Sequence, residues 1–174
     1  MADISTAILD IKSVLQSVIK PTGSTKGFSR IFNNQFRYME EGAIETFPFP
    51  CTFIEVQMPE DHAQLGGGIT DSTVTFKIHI GSVEYDAQDG TLEENKTIFA
   101  YRDDVVAALT HYQPTGCGRL MKIREQQDYE HTNVYHYIIE FQCAFIDTTG
   151  AEAEFFKEGP TDLGVIVTKV NFIV

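Results

Sequence analysis

Tryptophan is absent from this chain of 174 residues, and cysteine occurs only at Cys51, Cys117 and Cys143. The three cysteines are widely spaced, odd in number and form no C-x-x-C pair. A disulfide framework is therefore not expected, and reduced thiols in a cytosolic compartment fit better. Bases are also scarce: 13 Lys plus Arg stand against 25 Asp plus Glu, a formal net charge of −12. No apolar run approaches the ~18 residues that a membrane helix requires. The opening MADISTAILDIKSV carries Asp3 and Asp10 where a signal peptide is basic, and it lacks a compact apolar run. Hydrophobic residues nevertheless make up 43%, too many for a disordered chain despite the charge. The expectation is one soluble intracellular domain over 1–174 with a real core.

The aromatics that are present are 13 Phe and 7 Tyr, much of the Phe in strand-like stretches that suit sheet packing. The charge is unevenly placed. Residues 1–39 hold 2 acids and 5 bases, residues 40–94 hold 12 acids and only Lys77, and residues 95–174 hold 11 acids and 7 bases. An acidic middle repels phosphates, which argues against a duplex-gripping surface there. It serves either as a solvated, solubilising surface or as the complement, between copies, of the basic N-terminal segment.

Ile4, Ile8, Ile11, Leu15 and Val18 recur at helical spacing and predict an amphipathic helix over 4–19, stopped by Pro21 and Gly23. Residues 20–38, KPTGSTKGFSRIFNNQFRY, mix turn formers, bases and aromatics and read as a basic loop or arm, with a short strand at 28–32 as an option. Residues 50–58 read as a strand. Residues 59–71 contain Gly66, Gly67 and Gly68 in succession and are expected to be irregular and mobile. Residues 72–80 alternate cleanly, with Val74, Phe76, Ile78 and Ile80 inward and Thr73, Thr75, Lys77 and His79 outward. Thr91 to Glu94 fits a capping box ahead of a second amphipathic helix at 95–112. Residues 119–127 and 133–147 read as a long hairpin, and 164–174 as a C-terminal strand within a turn-rich extension over 148–174. The fold class is α+β: a mostly antiparallel sheet over 50–147 packed against two amphipathic helices on one side, with long loops and a C-terminal strand.

Catalytic chemistry is hard to find. Of five histidines, His131 and His136 are five apart, and on one continuous strand they point to opposite faces. They do not chelate together without a turn between them, so scattered surface histidines and no metal site are expected. Gly66–Gly68 lacks the Lys-Ser/Thr of a phosphate loop, and Asp71 follows it. Cys117 and His111 lie near one another in sequence, with no third orienting group in view. The chain is read as a non-enzyme without cofactor. The candidate interface comprises Lys26, Phe28, Arg30, Phe32, Phe36 and Arg37, with Gly66, Gly67 and Gly68. The first six are read as a docking arm that orders on assembly, in preference to a nucleic-acid contact.

This layout resembles the tail terminator (tail completion) proteins of long-tailed bacteriophages. The resemblance rests on an N-terminal helix ahead of Phe47-Pro48-Phe49-Pro50-Cys51-Thr52-Phe53-Ile54, a strand partner at 72–80, a central helix at 95–112 and a long hairpin at 119–147. It covers residues 4–147, with no counterpart for 148–174. It implies a structural virion protein of the tail and neck, assembled in the host cytoplasm. That protein forms a ring, usually a hexamer, on the last ring of the tail tube, ends tube growth and meets a neck or head-completion protein. An acidic lumen would let DNA pass without specific binding, and no membrane is involved. The alternatives are another tube, neck or connector subunit, or a small enzyme or ligand-binding domain.

Overall fold

The computed structural model describes residues 4–83, 95–131 and 134–150. The predicted capping box at Thr91 to Glu94 and the C-terminal strand at 164–174 lie outside them. Among the described residues nine elements follow in chain order: α1 (Ile4–Val18), β1 (Phe28–Ile31), α2 (Gln35–Glu40), β2 (Cys51–Gln57), β3 (Ala63–Gly66), β4 (Ile69–Ser82), α3 (Asn95–Leu109), β5 (Met121–Asp128) and β6 (Tyr135–Asp147). The strands form one sheet in the order β1-β2-β4-β6-β5, with β3 paired to the start of β4. All pairings are antiparallel except β1 with β2. The α+β class is as expected.

Alternation along β4 and β6 puts Val74, Phe76, Ile78 and Ile80 beside Ile139, Phe141, Cys143 and Phe145 on one face. Helix α1 covers that face with Ala7, Ile11 and Leu15, and α3 with Ile98, Val105 and Leu109, all buried. Both predicted helices therefore lie on the same side, each burying one apolar stripe. Polar clamps tie them down. The Asp10 carboxylate accepts the Thr115 N–H at 2.9 Å, and the Arg102 guanidinium donates twice to Glu125 on β5, each at 2.8 Å. Helix α3 ends at Leu109, three residues before the predicted limit. His111 takes a left-handed φ of 63° and donates its N–H to the Leu120 carbonyl, so the chain has already turned toward β5.

Two readings of the chain need correction. Residues 59–71 are not irregular throughout: β3 and β4 close a hairpin around Gly67-Gly68. Gly67 and Gly68 have φ of 59° and 75°, and Gly66 beside them has φ of 94°. Positive φ at both central residues is what a two-residue hairpin turn matching the strand twist requires, so the glycines there serve a fixed geometry. Gly67→Asn should melt within a degree or two of wild type, because Asn tolerates the left-handed region. Gly67→Val should lose about 1–2 kcal/mol, read as a lower melting temperature.

The second correction concerns residues 20–38, which are no free arm. β1 runs parallel to β2 in the register Phe28↔Cys51 to Ile31↔Ile54. Parallel neighbours need a crossover, and α2 with the segment to Pro50 supplies it. Gln35 fastens its entry: its side-chain Oε1 accepts the Asn33 N–H and its Nε2 donates to the Ile31 carbonyl, both at 2.6 Å. The crossover lies over the face opposite α1 and α3. There Phe36, Cys51, Phe53 and Val134 are buried, with Phe28, Phe32, Met39, Phe47 and Phe49 packed against them. Phe53 and Ile54 are adjacent in β2 and feed the two cores separately, as strand alternation dictates.

Candidate functional site

The second face of the sheet holds the unusual chemistry. His79 on β4 was expected to point to solvent. It does point away from the helices, but the crossover covers it and leaves it 2% exposed. The Phe32 ring stacks on it with centroids 3.7 Å apart. His136, at the start of β6, is equally buried and lies 4.7 Å, ring to ring, from Phe36.

These two imidazoles anchor a line of polar contacts. His79 Nε2 is 3.1 Å from Glu55 Oε2, and His79 Nδ1 is 2.9 Å from His136 Nε2. His136 Nδ1 is 3.0 Å from Asp128 Oδ2. Asp128 Oδ2 is 3.9 Å from His131 Nε2, whose other ring nitrogen, Nδ1, is 3.2 Å from Glu40 Oε2. Lys77 Nζ reaches the other Glu55 oxygen at 3.6 Å. Strand register explains the convergence. Asp128 pairs with His136 across the β5–β6 hairpin, Gly81 pairs with His136 across β4–β6, and Phe53 pairs with His79 across β2–β4. His131 lies in the connection between β5 and β6, so it folds back over the hairpin end. Burial holds the pKa of both His79 and His136 well below the ordinary imidazole value. The Lys77 charge adds to this at His79, and the neighbouring His79 ring adds to it at His136.

The expectation of scattered surface histidines is thus overturned for three of the five. His131 precedes β6 and does not share one continuous strand with His136, and the two rings lie 5.2 Å apart. Asp128, His131 and His136 each offer one ligand atom, all within 4.8 Å of one another. The signal in the sequence was the spacing Asp128-x-x-His131-x4-His136 across a predicted hairpin turn. Glu40 and Glu55 come from elements far away in the chain and carried no such signal.

The predicted interface residues divide. Phe28, Phe32 and Phe36 face their own sheet, and Phe36 is fully buried. Lys26, Arg30 and Arg37 are exposed. Arg30 lies over the Phe28 ring at 4.7 Å from its centroid, and Arg37 pairs with Glu41 at 2.8 Å. Phe28 and Arg30 also line an open groove of about 640 Å³ with Gln35, Ile44 and Phe47. Gly66, Gly67 and Gly68 stand apart from these at the β3–β4 hairpin tip, where Leu65 is exposed. Cys117 is buried with Cys143 in the helix-covered core, which is a packing environment. Among the described residues no helix is long and apolar enough to cross a membrane. The chain matches no protein-family model and no curated protein sequence.

Proposed function

We propose that this chain is a structural subunit of a long-tailed bacteriophage. In this reading copies close into a ring, of six by the family resemblance, on the end of the tail tube. The ring ends tube polymerisation and presents its other face to a neck or head-completion protein. The observation that supports the reading is the element order within one sheet. An N-terminal helix precedes the F-P-x-x strand β2, which pairs antiparallel with the long β4; α3 follows, and then the long β5–β6 hairpin. These are the elements on which the resemblance rests, and both long helices cover the same face.

The side-by-side joint is drawn differently once Phe32 and Phe36 are counted in the chain's own core. Among the described residues β5 is one of the two outer strands of the sheet, and Met121 and Ile123 on it are each 51% exposed. An outer strand with unpaired backbone groups and exposed apolar side chains suits contact with a neighbouring copy. The exposed bases Lys26 and Arg30 face a chain whose residues 40–94 carry net −11. Exposed ion pairs contribute about 0–1 kcal/mol each, so charge would set orientation while apolar burial supplies the energy. An acidic lumen would leave DNA free to slide.

Native mass spectrometry and negative-stain imaging of the purified chain test the reading. The expected result is a closed ring at about six times 19.5 kDa, reduced to folded monomer by Met121→Asp with Ile123→Asp. A wild-type chain that stays monomeric alone and on tail tubes of its own phage would sink it.

A further inference from the structure

We propose that Asp128, His131 and His136 bind a divalent transition cation of the zinc class, braced by Glu40 on one side and by His79 with Glu55 on the other. The site belongs to the monomer and goes beyond the ring reading.

The first argument is donor counting. Glu55, His79, His136 and Asp128 make three successive contacts of 3.1, 2.9 and 3.0 Å. Each needs one hydrogen. Two neutral imidazoles carry only two N–H groups between them, and neither carboxylate, when ionised, supplies another. If His79 donates to Glu55 and His136 donates to Asp128, two bare nitrogen lone pairs face each other at 2.9 Å. A cation on His136 Nδ1 removes the conflict. His136 then donates from Nε2 to His79 Nδ1, His79 donates from Nε2 to Glu55, and Asp128 becomes a ligand beside the imidazole. Every nitrogen has one role.

The second argument is spacing. Zinc–nitrogen and zinc–carboxylate bonds of about 2.0–2.2 Å allow two ligand atoms to lie up to about 4.4 Å apart. Asp128 Oδ2 lies 3.0 Å from His136 Nδ1 and 3.9 Å from His131 Nε2, inside that limit, and the three ligand atoms all lie within 4.8 Å of one another, so the two imidazoles need close only slightly around an ion.

The third is the surround. Metal-bound imidazoles almost always donate their other N–H to a carboxylate or comparable acceptor, which sets tautomer and ring orientation. His131 Nδ1 meets Glu40 at 3.2 Å, and His136 Nε2 reaches Glu55 through His79. The Phe36 ring packs against both His131 and His136. The His131 and Asp128 side chains keep 11% and 22% of their exposure, against 2% for His136, so an ion has a way in from solvent. Two imidazoles and one carboxylate select zinc-like cations over magnesium or calcium, which prefer all-oxygen sets. The ion would tie the β5–β6 connection to the crossover helix α2, which share no strand pairing.

The test uses the full chain after treatment with a chelator and buffer exchange. Titration calorimetry should give one Zn²⁺ per chain, and no binding of Mg²⁺ at the same concentration. At free Zn²⁺ about a hundredfold above Kd, the melting temperature should rise by about 5–10 °C. His131→Gln and Asp128→Asn, both at partly exposed positions, should fold with wild-type circular dichroism and each weaken binding at least about tenfold. Glu40→Gln, which touches no ion, should weaken it about 10–100-fold. Absence of stoichiometric Zn²⁺ binding by wild type would overturn the proposal. So would unchanged binding in the folded His131→Gln, Asp128→Asn double variant, since the ion would then sit elsewhere, for example on thiols. Neither outcome depends on whether the chain forms rings.

Discussion

Phe36→Ala should destabilise the isolated chain by about 3–5 kcal/mol, a large share of the ~5–15 kcal/mol that holds a domain together. The ring is fully buried and meets Phe53 edge-on at 5.2 Å, with Phe47 at 5.9 Å and His136 at 4.7 Å. It also lies on bare backbone: a Cβ placed on Gly81 of β4 would come within 2.5 and 2.6 Å of two Phe36 carbons. Truncation therefore opens a cavity bounded by a rigid strand that cannot collapse into it. Thermal or urea unfolding of the purified variant measures the loss, with a fall in melting temperature of about 6–20 °C. The same geometry predicts coupling. Gly81→Ala should be costly in wild type through overpacking and much less costly beside Phe36→Ala, where the added methyl finds room. Were Phe36 instead a contact between copies, its truncation would lower the assembled mass and leave the monomer's melting temperature unchanged. That result would return residues 20–38 to the role of an arm.

Gly27→Ala should cost about 2–4 kcal/mol without touching either aromatic core. Gly27 is buried, and its N–H donates to the Gln16 carbonyl at 2.9 Å. An added Cβ would collide with the Ile19 carbonyl oxygen and lie 3.0 Å from Gln16 Cα. The obstructing atoms are backbone atoms at the end of α1, so no side chain can swing aside. Relief requires β1 to separate from the helix, which breaks a buried hydrogen bond as well as packing. The expected fall in melting temperature is about 5–15 °C. A shift under about 2 °C would mean that the helix end yields freely and that β1 is not anchored by it. Gly23, four residues earlier, is a matched control for space: nothing lies within 4 Å of a Cβ there. Its φ of 77° still makes Ala mildly strained, so a loss of about 1–2 kcal/mol is expected at that position.

Much of the first layer was legible from pattern alone. A period of two along residues 72–80 and 135–145, and a period of 3.6 along 4–18, are statements about which side chains share a face. An apolar face must be covered, so a sheet with two helices on one side followed directly. Pattern cannot say whether the opposite face is also covered. His79, Phe53 and His136 alternate away from the helices, as a solvent-facing row would. Their burial depends on a crossover that begins at Phe32 and returns at Cys51, and parallel β1–β2 pairing is invisible to hairpin logic. The same limit hid the polar cluster. Asp128, His131 and His136 lie within nine residues and carried a local signal, blurred by reading His131 and His136 on one continuous strand. Glu40 and Glu55 joined them only because α2 and β2 stack over and beside the hairpin end. The three glycines show the reverse error: freedom in the unfolded chain was read as freedom in the folded one, whereas Gly67 and Gly68 hold the positive φ that a two-residue turn demands. Periodicity is local, and it was read correctly. Coverage and convergence are set by contacts between segments far apart in the chain, and those only the folded sheet supplies.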